Sequence, residues 1–305
     1  MSRSEQVTVL SVGVAVADFV MRVASLPEAA EKYRAEDAEI VVGGCAANAA
    51  VAVARLGGGS RLAARIGDDL IGGFIVDTLG GCGVDCADVR HLAGARSSFS
   101  NVLIDADGER QIVNYRGQGL AVDADWVEKL DPGIDAVLAD TRWAVGADAA
   151  MTLAEKAGVP GIVDAEAPME GCEGALKRAS HVAYSEQGLR SLTDEEDLAA
   201  ALAWAQREYG GFAAVTAGAA GTYWNDGSEA GHIPGFAVDA VDTLGAGDVW
   251  HGAFALALAR GDDHPTAMRF ANAAGAVKCT RPGGGLAAPT AIEVHELMEE
   301  QCRHN

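Results

Sequence analysis

A chain of 305 residues is at the upper limit for a single hydrophobic core, and 49% of this one is apolar, so one large domain with a small appendage is expected. Its 44 Asp and Glu against 23 Lys and Arg give a formal net charge of −21, which argues against nucleic acid or an anionic membrane surface as partner and obliges any anionic substrate to find local positive charge. No apolar stretch approaches a membrane span, and the opening Met-Ser-Arg-Ser-Glu-Gln carries no leader-like apolar run, so a cytoplasmic protein is expected. Cys45, Cys82, Cys86, Cys172, Cys279 and Cys302 lack a Cys-x-x-Cys pair and read as small core residues rather than as a zinc site or a disulfide frame.

Residues 7–14 form a short β-branched run that predicts the first buried strand of a parallel sheet. It ends at Ala17-Asp18, on the side where open α/β sheets hold ligands, so Asp18 is either a loop cap or an acceptor for a ligand's hydroxyl groups. Residues 21–42 are polar and irregular and do not read as core. Gly43-Gly44 opens an Ala-rich helix over 46–56, stopped by Gly57-Gly58-Gly59. Gly43, Gly44 and Asn48 at its start are either ligand contacts or a glycine turn with a buried Asn. A strand over 61–66 follows, and Gly67-Asp68-Asp69 caps a helix over 70–79. Alternation through Ser98, Ser100, Val102, Ile104 and Arg110, Ile112, Asn114 around Asp107-Gly108 predicts a hairpin.

An α/β rhythm then resumes. Strands over 136–139 and 161–164 flank a helix over 148–157, with Asp140-Thr141-Arg142-Trp143 after the first strand and Asp164 closing the second. A strand over 182–184 leads to Ser185-Glu186-Gln187-Gly188, an amphipathic helix spans 195–208, and a strand over 212–216 enters the glycine loop Ala217-Gly218-Ala219-Ala220-Gly221. A helix over 265–279 ends in Thr280-Arg281-Pro282-Gly283-Gly284-Gly285.

The chemistry centres on Asp242-Thr243-Leu244-Gly245-Ala246-Gly247-Asp248, which opens a buried helix. A helix start leaves backbone N–H groups without partners, and the small residues Gly245, Ala246 and Gly247 let an anion reach them. The helix dipole adds roughly 0.3–1 kcal/mol, so a phosphate fits here. Asp248 puts a negative charge beside that anion. It is either a base for phosphoryl transfer or a first-turn carboxylate favoured by the dipole.

Asp-Thr-x-Gly-Ala-Gly-Asp resembles the C-terminal signature of the ribokinase, or PfkB, family of ATP-dependent sugar kinases, and the match holds at every fixed position. Gly43-Gly44-Cys45-Ala46-Ala47-Asn48-Ala49-Ala50, running on to Ala54-Arg55-Leu56-Gly57, resembles the N-terminal signature, and the likeness covers essentially the whole chain. The resemblance implies a single domain over 1–305, with a three-layer α/β/α core, a mainly parallel sheet and a small β-sheet lid from about 15–42 and 95–118. It implies transfer of the γ-phosphate of ATP, with Mg2+, to a primary hydroxyl of a sugar. Asp248 would be the base, the amides of Gly245, Ala246 and Gly247 the anion hole, and Asp18, Gly43, Gly44 and Asn48 the sugar contacts. Thr216, Gly218, Gly221 and Gly284 would meet ATP. The glycine run can supply carbonyls to a monovalent cation such as K+ near Asp242 and Thr243. The chain departs from the family where many relatives carry Asn-x-x-Glu: it has Ser185 and Gly188, which leaves Glu186 as the residue for an indirect Mg2+ contact. Lids in this family often pair, so a homodimer is expected.

Ala139-Asp140-Thr141-Arg142-Trp143, Val113-Asn114-Tyr115 and the stretch 278–284 are similar to a sub-group that includes the bacterial sulfofructose kinases. There a Lys, an Asn and an Arg matching Lys32, Asn114 and Arg142 bind the sulfonate. The expected substrate is therefore 6-deoxy-6-sulfofructose, with fructose or another ketohexose and 2-keto-3-deoxygluconate as alternatives. Two readings stay open beside it: Arg142 paired with a core carboxylate and Lys32 a solvated lid residue, or a nucleotide- or sugar-binding module without chemistry. A dinucleotide oxidoreductase fails, because Val14-Ala15-Val16-Ala17 stands where its glycines would be needed.

Overall fold

A computed structural model describes residues 6–131 and 133–304. The opening segment read above for a leader lies, up to Glu5, outside the described residues, as does the side chain of Cys302. The chain runs through β1 (Thr8–Gly13), β2 (Val16–Arg22), β3 (Asp37–Gly43), α1 (Cys45–Arg55), β4 (Gly59–Gly67), α2 (Leu70–Gly81) and the short β5 (Arg90–Leu92). A hairpin, β6 (Phe99–Ile104) and β7 (Arg110–Tyr115), precedes β8 (Ala136–Asp140), α3 (Ala144–Ala157), β9 (Gly161–Ala165), α4 (Glu173–Arg178), β10 (His181–Ser185), α5 (Glu186–Arg190), α6 (Leu198–Tyr209) and β11 (Phe212–Thr216). A second hairpin, β12 (Gly221–Asn225) and β13 (Ala230–Pro234), leads to α7 (Ala246–Ala259), α8 (His264–Cys279) and α9 (Ala291–His304).

The large sheet has the order β13-β12-β11-β10-β9-β8-β1-β4-β5, parallel from β11 to β5 and antiparallel only through the β12–β13 hairpin. Its central strands alternate between two cores. Val9, Leu138, Ile162, Ala183 and Ala214 pack toward α1, α7 and α8, while Leu10, Val137, Val163, Val182 and Ala213 pack toward α3 and α6. Both faces are covered, so the period of two is hidden beneath an unbroken apolar run, as in buried parallel strands generally. A separate four-stranded sheet, β3-β2-β6-β7, is built from the stretches that read as polar and alternating. It is a ribokinase-like α/β architecture: a mainly parallel three-layer core with a small second sheet.

Several elements differ from the sequence-based expectation. Asp18 is not in the loop beyond the first strand; the chain turns at once and Asp18 lies inside β2, paired with Val41 and Ser100. The helix after Arg142 starts at Ala144, four residues earlier than its polar content suggests, because Arg142 and Trp143 leave the sheet edge directly into it. The helix expected from 195 starts at Leu198, where Asp197 caps it by accepting from Ala200 N at 2.8 Å. The β12–β13 hairpin, turning at Asp226-Gly227, lies outside the sequence-based expectation, as do β5, α4, α5 and α9. Asp69 caps α2, accepting from Gly72 N at 2.8 Å and also from Ser97 N and Oγ. Cys45, Cys82, Cys86, Cys172 and Cys279 are free thiols. Among the described residues no helix is long and apolar enough to cross a membrane.

Candidate active site

The parallel strands deliver their carboxyl ends to one edge, where β8 and β9 place Asp140 and Asp164 side by side in register. Asp140 acts as a junction. Its Oδ2 accepts from Val14 N (2.8 Å) and Ala46 N (3.1 Å), and its Oδ1 accepts from Arg142 N (3.0 Å). A Cβ on Gly13 would lie 2.1 Å from Asp140 Oδ2, so only glycine lets β1 approach this carboxylate. Burial pushes the Asp140 carboxyl up to about 6, against the lowering effect of those backbone bonds.

Across this edge stands the start of α7. Gly245 is its N-cap in a left-handed conformation (φ +76°), and a Cβ there would sit 2.6 Å from Gly285 N. Gly247 is the opposite case: a Cβ on it meets no heavy atom within 4 Å. The helix start therefore borders open space at Gly247, while the Ala246 amide donates to Thr243 O at 3.2 Å. One residue beyond Gly247, Asp248 Oδ2 accepts a hydrogen bond from Asn48 Nδ2 at 2.7 Å. Asn48 Oδ1 is buried without a hydrogen-bond partner among the described residues, and the Gly285 backbone packs against it so closely that a Cβ there would lie 2.4 Å away.

Ligand atoms of Cys45, Asp164 and Asp248 lie within 4.8 Å of one another, and Cys45 Sγ is 3.9 Å from Glu166 Oε2. This crowding of carboxylates shapes the protonation of the site. Burial first, then the charge of Asp164, raises the Asp248 carboxyl to about 7, while the Asn48 bond and His251 oppose the rise. Asp164 is raised as well, by burial and by Glu166 and Asp140. His251, on α7, contacts Gly247 O through Nδ1 (2.8 Å) and Ala183 O through Nε2 (3.1 Å), and burial holds its pKa below the ordinary range.

The second sheet brings its own row. Asp18, Ser100 and Asn114 are cross-strand partners on β2, β6 and β7, so their side chains share one face. Asp18 presses on the entrance to α1: a Cβ on Gly43 would fall 2.2 Å from its Oδ2. Gly44 (φ +101°) has the same need for a bare backbone, since a Cβ would lie 2.5 Å from Val14 O. Burial lifts the Asp18 carboxyl and a hydrogen bond with Ser100 opposes this.

The expected anion clamp is not assembled as a free set. Arg142 Nη2 pairs with Glu166 Oε2 at 2.8 Å and Nη1 donates to Ala167 O at 2.6 Å, which is the pairing with a core carboxylate considered above. Lys32 lies exposed in the connection between β2 and β3, and Asn114 is exposed on β7. On the nucleotide side, Thr216 closes β11 with its hydroxyl 3.4 Å from Tyr184 O, and Gly218 (φ +54°) faces open space. Gly221 (φ +97°) has no room for a Cβ, which would lie 2.2 Å from Ile233 O, and Gly284 adopts φ +57° near Leu244.

Two expected ion contacts do not fit. Glu186, the residue left for magnesium, pairs with Arg190 at 2.9 Å on the exposed side of α5, and the Ser185 hydroxyl is used as the α5 cap, accepting from Gly188 N at 2.9 Å. These side chains are not a ligand set for magnesium. At Asp242, both carboxylate oxygens are taken: Oδ1 by Leu244 N and Arg110 Nη2 (3.0 Å each), Oδ2 by Lys278 Nζ (3.1 Å). The Thr243 carbonyl accepts from Ala246 N at 3.2 Å, so the Asp242 and Thr243 oxygens read as K+ ligands already accept from the chain's own donors.

Sequence reasoning left Glu166, His251 and Lys278 without roles. The signals were faint: two carboxylates spaced by one residue at a strand end, a His one turn after Asp248, and a single Lys closing an otherwise apolar helix.

A parallel sheet whose carboxyl edge faces a glycine-rich helix start, with a raised carboxyl beside it and a second sheet alongside, defines the phosphoryl-transferring class of α/β enzymes. Residues 7–291 match the profile of the pfkB family carbohydrate kinases, and the chain belongs to that family: it is an ATP-dependent sugar phosphotransferase. It is 33% identical over 327 aligned residues to fructokinase-1 of Oryza sativa subsp. japonica, covering 95% of this chain and 97% of that one. The crystal structure of a ribokinase candidate from Agrobacterium tumefaciens superposes with a TM-score of 0.90 at 37% identity, covering 98% and 99% of the two chains. The ribokinase of Arabidopsis thaliana, solved with ribose and ATP, matches with a TM-score of 0.84 at 26% identity over 96% and 99%.

Proposed function

We propose that this kinase transfers the γ-phosphate of ATP to a primary hydroxyl of a ketohexose, and that the ketohexose is 6-deoxy-6-sulfofructose. The observation that supports the substrate is that Asn114 and Arg142 are each linked through an aspartate to the start of α1. Asn114 shares a row with Asp18, which presses on Gly43, while Arg142 sits beside Asp140, which accepts from Ala46 N. A guanidinium has five N–H donors, so its contacts with Glu166 and Ala167 leave others to meet a sulfonate. Lys32 would join from the loop before β3 when the second sheet closes over the sugar.

The proposed chemistry follows from the residues around Asp248. Asn48 holds one carboxylate oxygen, the other takes the proton of the attacking hydroxyl, and a carboxyl raised to about 7 is well matched to that task. Asp18 and Asn48 orient the sugar hydroxyls. The amides of Gly245 and Gly247 receive the charge of the moving phosphoryl group, that of Ala246 being bonded to Thr243 O, and Thr216, Gly218, Gly221 and Gly284 accommodate the rest of ATP.

An uncharged ketohexose such as fructose is the second reading, favoured by the Arg142–Glu166 pair and by the fructokinase relatives. Steady-state kcat/KM for sulfofructose, fructose, ribose and 2-keto-3-deoxygluconate separates the two. A preference for fructose over sulfofructose of about tenfold or more overturns the sulfonate reading, and no turnover of any of them overturns the ketose reading. Ile40 and Val113 are exposed on the same face of the second sheet and support a homodimer formed there, which light scattering tests.

A further inference from the structure

Lys278 is completely buried in the last turn of α8. Its ammonium donates to the main-chain oxygen of Asp242 (2.8 Å), to Asp242 Oδ2 (3.1 Å) and to the main-chain oxygen of Arg281 (3.4 Å). Three N–H donors meet three oxygens, and the C-terminal end of α8 adds a favourable field. A buried ammonium persists only when paired and hydrogen-bonded, and this one is. One carboxylate and two carbonyls around a single positive charge are also the kind of oxygens that hold a monovalent cation.

The segment so held leads directly into the helix start. Val241 N and Asp242 N both donate to Cys279 O (2.7 and 3.1 Å), at the end of the same α8, and Asp242 Oδ1 accepts from Leu244 N. Arg110 crosses from β7 to the same Oδ1 at 3.0 Å. Two residues beyond Thr243, Gly245 caps α7.

We infer that Lys278 is a resident monovalent cation: a positioning residue whose ammonium holds the Asp242–Gly245 loop, and with it the amides at the start of α7, so that phosphoryl transfer needs no potassium. The inference rests on the kinase activity and not on which sugar is used. It also explains why Asp242 is not available as a metal ligand.

The test begins with the wild-type enzyme, assayed with ATP and its best sugar in buffers whose only cation besides magnesium is tetramethylammonium, sodium or potassium. The expected rates agree within about twofold, and the melting temperature with ATP bound does not depend on which monovalent cation is present. Activation by potassium of about fivefold or more overturns the inference. Lys278→Met removes the charge and keeps the length of the stem. In the potassium-free buffer its kcat should fall by about tenfold or more with a smaller change in the KM for ATP, and potassium or ammonium should restore part of it. Its melting temperature should rise on addition of potassium where that of the wild type does not. A Lys278→Met enzyme with wild-type kcat in the absence of potassium refutes the positioning role. Should that variant fail to fold, the wild-type cation series decides alone. The melting series uses no sugar, so an unproductive sugar panel leaves it intact.

Discussion

Asn48 and Asp248, 200 residues apart in the chain, meet through a 2.7 Å hydrogen bond from Nδ2 to Oδ2. The bond joins the first turns of α1 and α7 and so brings the two glycine-rich signatures into one site. It also sets the carboxylate's acidity, since a donor to the charged form favours that form. Asn48→Ala should therefore move the pH dependence of kcat to higher pH by about one unit, read from kcat–pH profiles at saturating substrate. An unmoved profile would mean that the bond serves packing alone.

Asp248→Asn should lower kcat by about 10²–10⁴ while ATP still binds, as measured by calorimetry. In the wild type, kcat should rise with pH through about 7, where the carboxyl ionises, and level off above it. The stability consequence has a definite sign. The folded carboxyl titrates near 7 and the unfolded one near 3.8, so this group's contribution is fully present below 3.8 and is lost as pH rises to 7. The Asn variant should melt several degrees higher than wild type at pH 8 and equally near pH 3, by scanning calorimetry.

Gly247 and Gly245 should respond oppositely to substitution. A side chain on Gly247 enters open space, so Gly247→Val should keep its melting temperature within a few degrees and lose phosphoryl transfer by about 10²-fold or more. Gly245→Ala meets Gly285 N at 2.6 Å in a left-handed backbone, so it should cost about 1–3 kcal/mol of stability in urea denaturation. Loss of folding in Gly247→Val would show that the space in front of the helix is needed for packing.

Arg142→Ala should raise KM for sulfofructose by roughly ten- to hundredfold and change KM for fructose far less. Equal losses for both sugars would assign Arg142 to the ion pair with Glu166 and remove the clamp.

Asn272 is a buried structural counterpart on α8, tied to α7 through Trp250. Its Oδ1 accepts from Thr222 Oγ1 and Trp250 Nε1, both at 2.7 Å, and its Nδ2 donates to Ile233 O and Pro234 O. Asn272→Leu strands several buried polar groups and should destabilise by about 3–5 kcal/mol in chemical denaturation, with KM for ATP and sugar little changed.

The sequence by itself determined the parallel core, the β6–β7 hairpin and the helix start at Gly245–Asp248, because each rests on local patterning: unbroken β-branched runs, alternation about Asp107-Gly108, and small residues before an apolar helix; β2 and β3 of the second sheet followed only from the family resemblance. It did not determine that Asp18 belongs to β2, because a turn as short as Val14–Ala15 leaves no compositional trace between two apolar strands. The β12–β13 hairpin was missed for a related reason: its Asp226-Gly227 turn joins strands whose outward residues are too mixed to alternate visibly. Side-chain partners were beyond the sequence altogether. Arg142 could face a substrate or Glu166, and Asp242 could hold a metal ion or an ammonium. Only the tertiary structure chose, by burying Lys278 against Asp242 and by setting Glu166 of β9's exit beside Arg142 of β8's. Charges brought together from distant segments follow topology, and local sequence carries no record of which pairs will meet.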